Sequence, residues 1–277
     1  MHIFKTNDKV IVKYAGLLYS SPDWTWDNFI NRQALHGEVL KDLQSISANP
    51  LLAHDLEQLC TPIAGQEIWA SGVTYLRSKD ARMEESKDAG GGDFYARVYN
   101  AERPEIFFKS SASRAVGPGG TVRIRKDSEW NVPEPELVLF ICSAGTIEGY
   151  MIGDDMSSRD IEGENPLYLP QAKTYDACAA VGPCVYLTQQ SLDKTTNISL
   201  KINRNGSAVY DGKIAISQMK RTPEELVSFV FRECSFPHGC LIMTGTGIVP
   251  GHGFSLKSGD EIKISIDQIG TLVNQVM

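Results

Sequence analysis

From Glu67 onward the chain is a succession of short apolar runs divided by glycine and proline: IWASGVTY, EIFFKS, TVRIR, ELVLFIC, GYMIG, AVGPCVYL, ISLKINRN, CLIMTGTG and EIKISID. Short runs rich in β-branched and aromatic residues, bounded by turn formers, read as strands. One clear helix interrupts them. Thr222, Pro223, Glu224 and Glu225 precede Leu226, Val227, Phe229 and Val230, and proline with acids in the first turn suits a helix N-terminus. Residues 1–65 have a different texture. Val10–Tyr14 reads as a strand, Trp24–Leu43 carries helical spacing, Pro50–Leu59 reads as another helix, and Thr61, Pro62 and Gly65 supply a turn. The pattern predicts an α+β, β-rich chain: a small N-terminal α/β domain over 1–65 and a β-rich domain over 66–277.

With 277 residues, 42% of them hydrophobic, the chain has enough material for a sizeable core. Its 27 Lys and Arg against 34 Asp and Glu leave a net charge of −7. That balance argues against a nucleic-acid or anionic-membrane partner, but it allows an acidic small substrate if a bound cation reverses the local field. No stretch of about 18 apolar residues predicts a membrane span, and the lysine-dotted N-terminus does not read as a signal peptide. Cys60, Cys142, Cys178, Cys184, Cys234 and Cys240 form no CxxC pair and no zinc spacing with histidine. They read as reduced thiols of a cytoplasmic protein.

Asn131–Asp160 carries the most chemistry. In an extended chain Glu134 and Glu136 point to one face, and the apolar run Leu137–Ile141 carries their strand into the core. Two carboxylates in that position are costly to bury unpaired, and a hard divalent cation relieves them. Pro133 and Pro135 predict an edge or a bulge there. The strand Gly149–Ile152 is expected to stop at Gly153, leaving Asp155 at its exit as a third ligand. The same acids also read as a solvated loop, or as partners of Arg159, Arg123 and Arg125.

Lys173, in LPQAKTYDAC, reads either as a surface lysine or as one desolvated beside a carboxylate. TGTGIVPGHG, with Gly245 and Thr246, lacks both GxGxxG before a helix and GK[ST]; it is no nucleotide loop, yet its backbone N–H groups suit a carboxylate. Glu105 leads the strand EIFFKS and reads either as a proton-transfer group or as a surface acid paired with Arg103 or Lys109. DAGGGD (Asp88–Asp93) reads as a loop of the kind that covers sites.

Taken in order, ExE (Glu134, Glu136), GxDxSxRD (Gly153, Asp155, Ser157, Arg159, Asp160), Lys173 before Gly182–Pro183, GTG (Gly245–Gly247) and LxxGDxIxIxI (from Leu256) resemble the fumarylacetoacetate hydrolase superfamily, from about Trp69 to the end. The resemblance implies a mixed β-sandwich roll and a homodimer or higher homo-oligomer. It implies Mg²⁺, Mn²⁺ or Ca²⁺ on Glu134, Glu136 and Asp155. It also places Lys173, Thr246 and Gly245 at a small 2-oxo acid, with Ser78 and Arg159 nearby. The C–C hydrolases of that superfamily carry a water-activating histidine after a Gly-x-x-Tyr element. Here that element is Gly72–Tyr75, and no histidine occurs between His54 and His238. Without a base for water, hydrolysis is disfavoured.

GVTYLRSKDARMEES, DFYARVYNAERPEIFFK and SSRDIEGENPLYLPQAK resemble the sugar-acid branch. Its members dehydrate 2-keto-3-deoxy-D-arabinonate to 2,5-dioxopentanoate through a metal-stabilised enolate and β-elimination. On that resemblance Lys173 and Glu105 move protons, Arg159 and Asp160 brace the Asp155 loop, and Ala89–Gly92 closes over the substrate. The alternative is a hydrolase or decarboxylase of acylpyruvates or β-diketo acids, with Glu84 or Glu85 as its base.

Overall fold

Three N-terminal strands, β1 (His2–Lys5), β2 (Val10–Tyr14) and β3 (Leu17–Tyr19), form an antiparallel meander followed by helices α1 (Trp26–Ile30), α2 (Leu35–Leu43) and α3 (Leu52–Asp55). The structure is a computed structural model that describes residues 1–85 and 92–277. The chain continues through β4 (Glu67–Gly72), the helices α4 (Leu76–Glu85) and α5 (Gly92–Asn100), and β5 (Glu105–Ser111). Short strands β6 (Ala115–Val116), β7 (Thr121–Val122) and β8 (Asn131–Val132) precede the long β9 (Pro135–Ile141) and β10 (Ile147–Asp155). After β11 (Ser157–Ser158) come two short helices, α6 (Arg159–Glu164) and α7 (Leu169–Lys173). The rest is β12 (Ala179–Tyr186), β13 (Asn197–Arg204), β14 (Ser207–Ala215), α8 (Pro223–Val230), β15 (Cys240–Met243), β16 (Glu261–Ile266) and β17 (Gly270–Val276).

Two large sheets carry the molecule, and β8 and β11 pair as a separate two-stranded ladder. The larger has the order β3-β2-β1-β12-β10-β9-β15-β4-β5, with β6 added beside β12; the smaller has the order β14-β13-β16-β17-β7. β9 explains why they stack. All seven of its residues are buried, as an apolar run covered on both faces requires. Its odd positions, Leu137, Leu139 and Ile141, pack with Ile198, Leu200 and Ile202 of β13 and with Ile262, Ile264 and Ile266 of β16. Its even positions, Val138 and Phe140, pack with Ile3, Val12, Trp26, Phe29, Leu35 and Val39. One strand therefore feeds two cores by its period of two.

Several expectations shift in detail. The helical spacing over Trp24–Leu43 resolves into α1 and α2, and Pro50–Leu59 yields only the four residues of α3. TVRIR pairs only through Thr121 and Val122. The prolines before the acidic pair do not mark an edge: β9 lies between β10 and β15. Pro135 is the first residue of the strand, where a missing N–H costs least. β10 does not stop at Gly153 but runs through Asp155, because Gly153, Asp154 and Asp155 pair with β12. The helix expected after Thr222 is α8, and the Thr222 side chain accepts from Glu225 N at 3.1 Å. Helices α4 to α7 were not foreseen. No described helix is long and apolar enough to cross a membrane.

The N-terminal segment continues the large sheet, since β1 pairs antiparallel with β12 through His2–Tyr186 and Ile3–Val185. Ile3 is fully buried beside Val138 and Val185. Ile3→Ala is expected to cost about 2–4 kcal/mol, the range for a truncated core aliphatic, in a single transition common to the whole chain. Urea unfolding followed by tryptophan fluorescence and by circular dichroism, with coincident curves, checks this.

Candidate active site

The neighbouring ends of β9 and β10 bring three carboxylates together. Glu134 immediately precedes β9, Glu136 lies in it, and Asp155 ends β10, with Gly153 opposite Glu136 and Asp154 opposite Pro135. One oxygen from each of Glu134, Glu136 and Asp155 lies within 4.8 Å of the others, and all three residues are buried. Backbone bonds fix the corner: Asp155 N donates to Glu134 O at 2.9 Å, and Glu134 N donates to Asp154 Oδ1 at 3.0 Å.

Cations surround two of the three acids. Lys173 Nζ, at the end of α7, donates to Glu134 Oε2 at 2.5 Å and to Asp155 Oδ2 at 3.1 Å. Arg159 donates to the other Glu134 oxygen and pairs with Glu162 at 3.5 Å. Glu162 also pairs with Arg82 of α4. Lys109 Nζ meets Asp155 Oδ1 at 2.6 Å. Glu136 differs. It accepts from Gly245 N at 2.5 Å, and no ion pair reaches it among the described residues.

The local charge count shows what is missing. Among the described residues, Arg82, Lys109, Arg159 and Lys173 face Glu105, Glu134, Glu136, Asp154, Asp155 and Glu162. The acids exceed the cations by two, the charge of one divalent ion, and three carboxylate oxygens converge where it would sit. Protonation reflects the same imbalance. Burial pushes Glu136 well above the usual carboxylate range, and the charges of Asp155 and Glu134 add to it. Burial also raises Asp154, to about 7. Burial works against Glu134 too, but Arg159, Lys173 and Arg82 outweigh it and hold its carboxyl well below the usual range.

A small polar cleft opens on this cluster. Ser71, Gly72, Val73, Ser78, Arg82, Phe107, Gly245 and Thr246 line it together with the triad and Lys173; none of the lining residues is a histidine. Glu105 reaches in from β5. Its Oε2 is buried with no hydrogen-bond partner among the described residues, and burial raises its pKa. Gly72, opposite Glu105 in the β4–β5 pair, is required: a Cβ there would collide with the Glu105 carboxyl. Val73 turns the chain from β4 towards α4 with φ at +55°, a strained conformation for a β-branched residue and one that clusters at functional sites.

The residues singled out in the sequence occupy distinct places. Glu134, Glu136, Asp155 and Lys173 form the cluster. Thr246 and Gly245 line the cleft, although Gly245 N is used by Glu136 and the Thr246 hydroxyl bonds to Ile248. Ser78 also lines it while closing a turn on Tyr75. Arg159 stands behind Glu134, outside the lining. Asp160 holds Ser128, Glu129 and Ser158 in the neighbouring loop. The expected cover, Ala89–Gly92, lies outside the described residues except for Gly92, which opens α5. The side chains of Glu84 and Glu85 lie outside them as well.

Sequence reading missed Lys109, Arg82, Glu162 and Phe107. Phe107 was accessible from alternation, since it shares a strand face with Glu105. Arg82 sits on a highly polar helix that reads as solvent-facing.

A family model for the C-terminal region of fumarylacetoacetate hydrolase matches residues 67–277. The chain belongs to this family. Among relatives, it is 49% identical over 216 residues to a probable 2-keto-3-deoxyxylonate dehydratase of Haloferax volcanii, covering 78% of this chain and 73% of that one. It is 42% identical over 221 residues to the 2-dehydro-3-deoxy-D-arabinonate dehydratase of Saccharolobus solfataricus, covering 79% and 74%. A solved structure of 2-keto-3-deoxy-D-arabinonate dehydratase, complexed with magnesium and 2,5-dioxopentanoate, superposes with a TM-score of 0.82. It has 32% identity and covers 99% of this chain and 97% of that one. The fold of this family member is thus the mixed two-sheet architecture described above.

The raised carboxyls give a signed pH dependence. A carboxyl whose folded pKa exceeds its unfolded value adds stability at low pH and loses it as pH rises through the folded value. For Asp154 that window runs from its ordinary value of 3.8 to about 7. EDTA-treated protein is expected to show a Tm that falls between pH 5 and pH 8. Added Mg²⁺ is expected to raise Tm more at pH 8 than at pH 5.5, because Glu136 must be deprotonated to serve as a ligand. Glu136→Gln is expected to abolish the Mg²⁺ increment. Differential scanning calorimetry at the two pH values reads all three.

Proposed function

We infer that this chain is a magnesium-dependent hydro-lyase that converts 2-keto-3-deoxy-D-arabinonate into 2,5-dioxopentanoate and water. The observation that carries this reading is the buried triad Glu134–Glu136–Asp155 with its uncompensated charge, open to a cleft edged by Lys173 and Glu105 and free of histidine. The relatives at 49% and 42% identity support the reaction class. Their two substrate names agree chemically in the D series. A keto group at C2 and a methylene at C3 leave only C4 as a stereocentre, so the xylonate-derived and arabinonate-derived acids are one molecule.

Magnesium on the triad supplies Lewis-acid polarisation of the substrate's carboxylate and 2-keto oxygens, which acidifies the C3 protons. The chain's own groups then move protons. Lys173, which stands as an ammonium paired with Glu134 and Asp155, releases that proton to solvent as substrate binds and then takes one C3 proton. Glu105, whose buried carboxyl holds its proton above the ordinary range, gives it to the 4-hydroxyl, which leaves as water while the C3–C4 double bond forms. The Glu105 carboxylate then takes a C5 proton, and the Lys173 ammonium returns its proton to C3. The resulting C5 enol loses its hydroxyl proton and gains one at C4, giving the aldehyde. Glu105 ends the cycle in its starting state, and Lys173 does so once solvent returns the proton it released. Thr246, Ser78 and Arg82 line the cleft where substrate oxygens beyond the metal need donors. Arg159 acts from behind, by holding Glu134.

The rest of the reading is consistent with this chemistry. We take residues 1–65 as a packing unit beside a catalytic domain of 66–277, a cytoplasmic location, and a homodimer or higher homo-oligomer. Four of the six cysteines are buried free thiols, which suits a reducing compartment. Light scattering after gel filtration reads the oligomer directly.

The test is a coupled assay on 2-keto-3-deoxy-D-arabinonate with Mg²⁺, following 2,5-dioxopentanoate through an aldehyde dehydrogenase. Turnover is expected, and EDTA is expected to abolish it. Lys173→Met and Glu105→Gln are each expected to lower kcat by about 10²–10⁴-fold, the usual worth of a general acid or base.

A further inference from the structure

Lys109 is fully buried, does not pair with Glu105 as the sequence allowed, and has no part in the proton transfers above. Its place in β5 is irregular. Phe108 pairs with Trp69 and Ser110 pairs with Ile68, so Lys109 is the extra residue of a β-bulge. Bulges of this kind turn a side chain out of its regular direction and recur beside active sites. Here the bulged side chain runs to the corner where β10 ends and α7 ends.

Lys109 Nζ has three oxygens in close contact, two as hydrogen bonds and one as an ion pair. Lys109 Nζ meets Asp155 Oδ1 at 2.6 Å, donates to Met156 O at 2.9 Å, and donates to the main-chain oxygen of Lys173. The last is a carbonyl at the C-terminus of a short helix, which has no partner within the helix. The Lys173 side chain returns to Asp155 Oδ2 at 3.1 Å. The contacts therefore close a ring: Lys109 to the Lys173 backbone, the Lys173 side chain to Asp155, and Asp155 back to Lys109. Each Asp155 oxygen is held by a different lysine.

We propose that Lys109 is a positioning residue that sets the orientation of Asp155 as a metal ligand and, through the Lys173 carbonyl, the distance between Lys173 and the metal. This rests on the reading of the triad as a magnesium site. Lysine suits the place because a compact ammonium with three hydrogens reaches one carboxylate and two carbonyls at once, a geometry the planar guanidinium of arginine does not reproduce. Partners that hold a ligand from behind commonly change metal affinity by about 10–100-fold when removed.

The test compares wild type, Lys109→Met and Lys109→Gln by calorimetric titration with Mg²⁺ alone, by thermal melting and by the dehydration assay at saturating Mg²⁺. Lys109→Met is expected to weaken Mg²⁺ binding by about 10–100-fold. Its kcat is also expected to fall at least about 10-fold when Mg²⁺ is saturating, because Lys173 is no longer held. A purely structural role would lower Tm while leaving the Mg²⁺ Kd and kcat in place. A folded Lys109→Met with both within about twofold of wild type overturns the proposal. If Lys109→Met does not fold, Lys109→Gln decides, since its amide keeps donors for the two carbonyls without the charge. A Kd raised about 10-fold or more upholds the proposal and an unchanged Kd overturns it. Wild type that binds no Mg²⁺ would instead remove the metal reading itself.

Discussion

Three carboxylates within 4.8 Å of one another at the buried ends of two central strands repel strongly, and the rest of the site exists to hold them there. Lys173 and Arg159 share Glu134, Lys109 and Lys173 share Asp155, and Gly245 N meets Glu136. These contacts come from five separate stretches of the chain, so the cluster forms only when the large sheet and its connections are in place. Among the described residues the cations stop two charges short of neutrality. A fully paired buried network would be an inert ion-pair core; here, among the described residues, no ion pair reaches Glu136, and burial displaces its pKa upwards. A dication would supply the two charges that the cluster lacks.

The sandwich explains how such a cluster survives. β9 is buried along its whole length and drives its odd side chains into one core and its even ones into another, so its N-terminal end is rigidly placed. Gly72 then makes room for Glu105. Gly245, at φ +92°, brings its N–H to Glu136 where a Cβ would strike Thr74. Small residues thus let charged ones converge, and the apolar layers keep water from dispersing the field.

Much of this is legible in the sequence because it depends on short-range pattern. Glu134 and Glu136 are two residues apart on a strand whose apolar run announces burial, and the β2 boundaries coincide with the run VIVKY. What escaped depends on contacts across long separations. Arg82 meets Glu162 eighty residues later, and the polar α4 that carries it reads as solvated surface. Lys109 is aimed by a bulge that no composition or spacing signals. Local sequence left Lys173 either on the surface or desolvated beside a carboxylate, and could not decide, because the acids that accompany its burial lie 18 and 39 residues away. Helices α6 and α7, with six and five residues, are too short to show a period.

The central claim is that every hydrogen shift from substrate to product is a proton transfer that passes through exchangeable groups, the last of them at C4. Turnover in D₂O, followed by NMR of the product at early times, tests it most directly. Tautomerisation of the C5 enol by proton transfer predicts one solvent deuterium at C4 of 2,5-dioxopentanoate, and none on the aldehyde carbon. A product without deuterium at C4 would mean that hydrogen had migrated directly from C5 to C4, and would contradict the account.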